Sequence, residues 1–536
     1  MTNETPPPTG SSSQPLANGR GLHLSRSANA AMDRRSFTAA LAAGAAAALL
    51  PASARAAVPP PDAAPDVAPA QPPPVAAQAR ASRLTPAIVT KIRVYYPPGY
   101  NPNGPQAFPQ SNMVIFVDTD QGLTGVGQGG SPDLIRNLAR AVIGKNAFDT
   151  EMIWQAAFMD GFYSPGKERL HGLGGIDIAL WDIKGKALGA PLYQLFGGKA
   201  REHLELYATN GLAPGLTAAS NSLKDRAAAH MAAGYRVFRV DSAVLPTGVG
   251  GRGGGRGAPT GADGRGAALL GDTPLIGRLR GAPTGADGRG AAAPGGPPAA
   301  GGRGRGGGGG RGGSVFDARA RIPLIAEAAQ QIREGVGPEG NWMIDLHQSF
   351  DFHEAVELCN LLEPMRPFCV EDPLREEQFR TQIPKLRLLT KVPLAPGEEW
   401  GHRSDFSPLI ENRDIDFARA SLPNVGGITE MLKIMALCDT HKVGIVPHFT
   451  APIPTAAIMH TLMAFPGQAL VEFNLGERTP AYLSEFLECR NGKIWPNDRP
   501  GLGVTVDEKQ LTFVEEFTTG ARGPTYRRPD GSLTHW

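Results

Sequence analysis

From residue 204 onward, short apolar strand-like segments alternate strictly with helix-like segments, and this alternation limits the fold more than any other feature. The strand pattern falls near 204–208, 235–241, 342–346, 367–371, 393–397, 415–421, 443–447 and 468–472, with helical periodicity between them. Eight strands alternating with helices imply a closed parallel barrel rather than an open sheet, an α/β fold of TIM-like type. In such barrels the chemistry gathers where the strands end.

Reading those ends in order, Asp345 follows the third strand, Glu371 the fourth and Glu398 the fifth, with gaps of 26 and 27 residues. Each gap is one strand–helix unit, so neighbouring strands deliver three carboxylates to one rim. Three converging carboxylates repel one another unless a cation sits between them. Hard oxygen donors that leave open positions favour Mg²⁺ over zinc or copper. His347 lies two residues beyond Asp345, which on extended backbone puts both side chains on one side. His448 ends the seventh strand in Ile-Val-Pro-His, and the pair of rim histidines reads as catalytic. Glu472 ends the eighth strand, where it either faces a developing oxyanion or forms an ordinary salt bridge.

The chain before the barrel differs in pattern. Residues 87–205 begin with apolar alternation over 88–96 and 112–117, followed by helical periods at 134–143, 152–158 and 176–188. That is an α+β domain of a strand meander with helices. Residues 57–86 are Pro/Ala-rich and read as a linker. Residues 243–314 are a Gly/Arg-rich block containing RGAPTGADGRGAA twice, at 256–268 and 280–292. Too few large apolar residues are present there to offset ordering entropy, so a solvated insertion is expected. At the N-terminus, Arg34-Arg35-Ser36-Phe37, an apolar run to Leu50 and Ala54-Arg55-Ala56 form a twin-arginine export signal within 1–56. Periplasmic or secreted localisation follows from it, with Met1 and Met32 as alternative starts. The apolar run is too short to stay as a membrane anchor. Net charge is +2, which gives no general pull toward nucleic acid. The four cysteines form no CxxC pair, arguing against zinc or a disulfide framework.

Several strings then carry a resemblance: Ile-Asp-Ile-Ala-Leu-Trp-Asp-Ile-Lys-Gly-Lys (176–186), Pro-Leu-Tyr-Gln-Leu-Phe-Gly-Gly (191–198), Asp-Leu-His (345–347), Val-Glu-Asp (370–372), Pro-Gly-Glu (396–398) and Gly-Gly-Ile-Thr-Glu (426–430). With them, residues 88–536 outside the insertion resemble the enolase superfamily, in its mandelate racemase and sugar-acid dehydratase branch. The resemblance implies a capping domain at 87–205, a (β/α)7β barrel at 206–489 and a C-terminal segment, 490–536, returning to the cap. It implies Asp345, Glu371 and Glu398 as Mg²⁺ ligands. It also implies a Lys or His base working beside Mg²⁺, with the metal stabilising an ene-diolate, as is general for this superfamily.

Phe238-Arg239, Arg419-Ala420-Ser421 and the terminal Pro-Asp-Gly…Trp536 resemble mannonate dehydratases, while Asp345-x-His347 is shared with galactonate dehydratases. By that likeness Asn112, Arg239 and Arg419 contact substrate or assist proton transfer; Asn210 and Tyr163 are further candidate substrate contacts. The pattern departs at Ser421, where galactonate dehydratases carry Asp, and in the insertion, which contains no Tyr. The expected activity is α-proton removal from an acid sugar followed by loss of the 3-hydroxyl as water. His448 is the expected base and His347 the acid, and a homo-oligomer is expected. The competing readings are an epimerase or cycloisomerase of the same superfamily, and an inactive sugar-acid binder. Residues 97–108 and 162–171 are candidate lids.

Overall fold

The computed structural model describes residues 84–101, 113–160, 166–207, 222–242, 316–375, 380–448, 451–472, 479–520 and 526–534. The export signal, nearly all of the linker and the 243–314 insertion lie outside them.

The cap begins with three antiparallel strands, β1 (Val89–Tyr96), β2 (Val114–Thr119) and β3 (Thr124–Gln128), in the order β1-β2-β3. They are followed by α1 (Pro132–Val142), α2 (Thr150–Met159) and α3 (Lys167–Leu188). The central strand β2 reads Val-Ile-Phe-Val-Asp-Thr, buried at all but one position, because it is paired on both edges and covered by α3. Helix α3 starts well before the periodicity at 176–188 indicates. Gly172, Gly174 and Gly175 weaken the helical signal, yet they are what lets the helix lie against its neighbours. A Cβ on Gly174 would stand 2.5 Å from the carbonyl oxygen of Pro423, and one on Gly127 would stand 1.9 Å from that of Gly175. Of the candidate lid at 162–171, residues 167–171 are the first turns of this helix, with His171 buried. Gly127→Ala is expected to cost about 1–3 kcal/mol or more through overpacking, measurable by urea denaturation.

The barrel strands are β4 (Leu204–Tyr207), β5 (Val237–Asp241), β6 (Asn341–Asp345), β7 (Cys369–Glu371), β8 (Leu394–Ala395), β9 (Phe417–Ala418), β10 (Gly444–Ile445) and β11 (Val471–Glu472). The run β5-β6-β7-β8 is parallel, β9 pairs parallel with β10, and β11 pairs parallel with β4. The ring closes through Arg419 N to Pro396 O at 3.0 Å, a parallel bridge between Ile445 and Ala469, and the packing of β4 on β5. Among the described residues seven helices alternate with the strands: α4 (Leu223–Ala232), α5 (Ala318–Val336), α6 (Phe352–Leu362), α7 (Ile383–Leu389), α8 (Arg403–Glu411), α9 (Ile428–His441) and α10 (Pro452–Ala464). Among the described residues none follows β11 directly, so the architecture is (β/α)7β with an N-terminal α+β cap. Strand β4 starts at Leu204, two residues ahead of the expected barrel boundary.

Beyond the barrel, β12 (Lys493–Trp495) pairs antiparallel with β4, and β13 (Thr512–Phe517) pairs antiparallel with β1. The C-terminal segment therefore touches barrel and cap alike. Two acids of the 176–186 string serve the same joint. Asp177 accepts from Thr429 N (2.9 Å) and Thr429 Oγ1 (2.6 Å), capping α9 from a different helix. Asp182 accepts from Val126 N at 3.0 Å and Leu502 N at 2.9 Å, tying cap sheet to C-terminal segment. Among the described residues no helix is long and apolar enough to cross a membrane.

Candidate active site

The period-two alternation of the strands sorts the barrel into layers. Phe238, Val240, Trp342, Ile344, Val370, Leu394 and Ala418 face outward into the core shared with the helices. Val237, Met343, Cys369, Ala395, Phe417, Val446 and Leu470 point inward and form a separate apolar plug. Two residues further along each strand, the same inward direction is taken by Arg239, Asp345, Glu371, Arg419, His448 and Glu472. Four residues along β5 it is taken by Asp241. An apolar floor thus carries a charged layer at the strands' C-terminal ends. Glu398 needs a local device to join it, because simple alternation from Ala395 would turn it away. Gly397 supplies this with φ 121, at a place where a Cβ would lie 2.8 Å from the Phe406 ring.

Asp345, Glu371 and Glu398 each offer an oxygen within 4.8 Å of the others. Around them the charges are tightly shared. Arg239 donates to Glu371 through Nε (2.9 Å) and Nη2 (3.0 Å) and also pairs with Asp345. Arg419 pairs with Glu371, donates to Glu472 (2.6 Å) and to the Tyr207 hydroxyl (2.6 Å), and its Nε lies 3.7 Å from Glu398. Glu472 is thus engaged by Arg419 and Tyr207 and lies 3.6 Å from Arg239 Nη1. This is the salt-bridge alternative for that residue.

The two histidines lie just beyond the ends of β6 and β10, four strands apart in an eight-stranded ring and hence on opposite sides of the mouth. His347 Nδ1 is 2.9 Å from Asp241 Oδ1 and its Nε2 is 2.8 Å from Asp345 Oδ2. Ionised carboxylates only accept, so both ring nitrogens carry protons. Burial opposes this charge, but Asp345 and Asp241 raise the imidazole to about 11. His448 Nδ1 lies 3.0 Å from Ser421 Oγ, and its Nε2 lies 3.6 Å from Glu398. Burial lowers His448 to about 4 against the pull of Glu472, although a third of the side chain is open to the mouth. One imidazole is held charged and the other neutral.

Burial pushes the Asp345 carboxyl up, but Arg239 and His347 outweigh it and hold it at about 2. Burial also raises Glu371, offset in part by Arg239 and Arg419. Glu398 is raised well above the usual range by burial and by Asp345 and Glu371 beside it. Its Oε2 is buried with no donor in hydrogen-bond reach among the described residues. Among the described residues of this inward layer, Asp241 and His347 offset each other, leaving four carboxylates (Asp345, Glu371, Glu398 and Glu472) against two guanidiniums (Arg239 and Arg419). A divalent cation beside Glu398 closes that deficit, so the donor set fits one.

His347 and Gln348 (φ 45 and 53) and Asp372 (φ 42) adopt left-handed backbone at this rim, a conformation that non-glycine residues hold only under constraint. The constraint is visible: His347 N donates to Asp345 Oδ1 at 2.8 Å and Gln348 N to Asp372 O at 2.9 Å. Asn112, Tyr163 and Asn210 lie outside the described residues, as do 102–108 and 162–165 of the expected lids. Two site residues escape the sequence reading. Tyr207 ends a strand as an aromatic, which reads as core. Asp241 carries a legible signal, its inward parity with Arg239.

Residues 107–197 match the mandelate racemase / muconate lactonizing enzyme N-terminal domain, and residues 312–510 match the enolase C-terminal domain-like family. A D-galactonate dehydratase of Xanthomonas oryzae pv. oryzae is 28% identical over 441 residues, covering 79% of this chain and 96% of its own. That of Cronobacter sakazakii is 27% identical over 443 residues, with the same coverage of both chains, 79% and 96%. Among solved structures, a member of the enolase superfamily from Salmonella Typhimurium superposes with a TM-score of 0.60 at 21% identity, over 80% of this chain and 100% of its own. An enolase from Pantoea ananatis with bound D-gluconate and Mg superposes with a TM-score of 0.59 at 24% identity, over 79% of this chain and 94% of its own. With both family domains in sequence order on the cap and barrel just described, the chain belongs to the mandelate racemase / muconate lactonizing enzyme group of the enolase superfamily, near its sugar-acid dehydratases.

Proposed function

We propose that this enzyme is a hydro-lyase, a Mg²⁺-dependent acid-sugar dehydratase. The observation that carries the reading is the carboxylate cluster of Asp345, Glu371 and Glu398, with a charged His347 and a neutral His448 on opposite sides of it. Asp345, Glu371 and Glu398 would hold Mg²⁺, which would supply the positive charge that a substrate carboxylate needs when its α-proton leaves. His448 takes that proton on Nε2, whose lone pair is available once Nδ1 donates to Ser421. The electron pair of the C–H bond is first taken up by the substrate carboxylate, so that exchange with solvent can precede water loss; it then returns to form the C2–C3 double bond as the C3–O bond breaks. His347 gives its Nε2 proton to the departing hydroxyl, which leaves as water. The enol product then tautomerises to a 2-keto-3-deoxy acid. The galactonate dehydratase relatives and the gluconate-bound neighbour support an acid sugar as the substrate class. Export through the twin-arginine route, which carries folded proteins, is consistent with a metal loaded beforehand.

The test is a panel of acid sugars incubated with Mg²⁺ and read by 2-keto acid formation. His448→Asn is expected to abolish both α-proton exchange in D₂O and dehydration, a loss of about 10²–10⁴-fold. His347→Asn is expected to stop dehydration while leaving part of the exchange. The rate should hold a plateau through neutral pH. It falls on the acid side as His448 gains a proton and on the alkaline side as His347 loses one. Normal exchange in His448→Asn would remove it as the base, and exchange without any water loss in the parent protein would make the enzyme an epimerase instead.

A further inference from the structure

The two rim histidines are held by different chemistry. The partner of His448 is Ser421, whose hydroxyl donates or accepts equally well and carries no charge. The partner of His347 is Asp241, whose carboxylate accepts only. Asp241 sits at the end of β5 opposite Asp345 in the parallel register with β6, and only 4% of it is exposed. It shares the inward parity of Arg239, two residues earlier on the strand. The backbone of His347 is pinned separately, by its left-handed φ of 45 and by donation from its N–H to Asp345 Oδ1. With the backbone fixed, ring orientation is the one freedom left to His347, and Asp241 removes it.

We propose that Asp241 is the positioning residue of the acid: it takes the Nδ1–H of His347 and so turns Nε2–H toward the carboxylate cluster, where the substrate's 3-hydroxyl leaves. The proposal rests on the dehydratase reading for its catalytic consequence, though not for the pairing itself. It makes the dependence on Asp241 follow the leaving group. Hydroxide is a poor leaving group and needs a proton delivered along a set direction; fluoride departs without one. Proton removal at the α-carbon, on the His448 side of the mouth, does not involve Asp241.

The expected result for Asp241→Asn is a fall in kcat of about 100-fold for a 3-hydroxy acid sugar, with KM nearly unchanged. Fluoride elimination from the matching 3-fluoro acid should lose less than about tenfold, and α-proton exchange should persist. Equal losses for both leaving groups would overturn the proposal, since general damage to the site does not distinguish them. A second measurement needs no substrate. In ¹⁵N-histidine-labelled protein with Mg²⁺ bound, the Nδ1 proton of His347, assigned by its absence in His347→Asn, is expected far downfield. It should survive Ser421→Ala and vanish in Asp241→Ala, which removes the acceptor. If the parent protein lacks such a proton, or if Asp241→Ala retains it, the pairing is wrong. The spectrum of the parent protein decides this even where Asp241→Ala does not fold. If the signal behaves as expected but the parent dehydrates no acid sugar, the dehydratase reading fails while the pairing stands.

Discussion

Replacing Glu398 by Gln should make the cation-free protein more stable and leave it nearly inactive. Glu398 is a buried carboxylate beside Asp345 and Glu371, and both neighbours and burial oppose its charge. The guanidinium beside it is weakly placed, with Arg419 Nε at 3.7 Å, and the His448 Nε2 that lies 3.6 Å away is neutral. Gln keeps the shape and removes the repulsion. The backbone is unaffected, since the Glu398 carbonyl still accepts from Asn424 Nδ2 at 2.9 Å. Turnover, however, loses one of three anionic oxygens that hold the cation. Several kcal/mol of transition-state charge stabilisation correspond to about a 10³-fold loss or more. Thermal melts in chelator and in Mg²⁺ separate the two effects. The parent should gain stability from Mg²⁺ by mass action, and the variant should start higher and gain less. A variant that melts lower in chelator and responds to Mg²⁺ like the parent would remove Glu398 from the ligand set.

How far the site is legible from sequence depends on which interactions follow chain order. Asp345 and Glu371 are readable because each ends a strand and one strand–helix unit separates them. The barrel strands are readable in position but not in length. The patterns at 393–397 and 415–421 run well past β8 and β9, which are two residues each, because inward alternation continues beyond the ladder hydrogen bonds. Arg239 and Arg419 are visible as strand-end cations, but nothing local says that their guanidiniums turn onto Glu371. That geometry comes from barrel closure, which joins residues 132 positions apart. The Asp241–His347 pair spans 106 positions and the whole insertion. In the cap, Gly172, Gly174 and Gly175 hide the start of α3. Propensity counts a helical glycine as a cost, and only the neighbouring backbone shows what the missing side chains make room for.

The other large effect is expected at Arg419, which joins more of the site than any single acid does. Its guanidinium is fully buried and faces Glu371, Glu472 and Tyr207 at once, with the Val446 carbonyl accepting at 3.3 Å. Arg419→Met leaves comparable volume but strands two buried carboxylates with Arg239 as their remaining guanidinium. Breaking a buried pair from one side costs about 3–5 kcal/mol, because the abandoned charge keeps its desolvation penalty. The sign of the pH dependence follows from the same cause. Glu371 is already raised by burial, and without Arg419 it binds its proton still more tightly in the folded chain than in the unfolded one. The folded variant is therefore penalised least at low pH, below the unfolded carboxylate range, and increasingly as pH rises toward the elevated value of Glu371. Urea denaturation of parent and variant at pH 5 and pH 8, in chelator, should show a gap that widens at the higher pH. Arg419→Lys, which keeps the charge but not the planar fork, should recover only part of the loss. A gap that stays below about 1 kcal/mol at both pH values, the scale of an exposed ion pair, would mean that Arg239 alone balances the acids. The charge count that calls for a divalent cation beside Glu398 would then have to be redrawn.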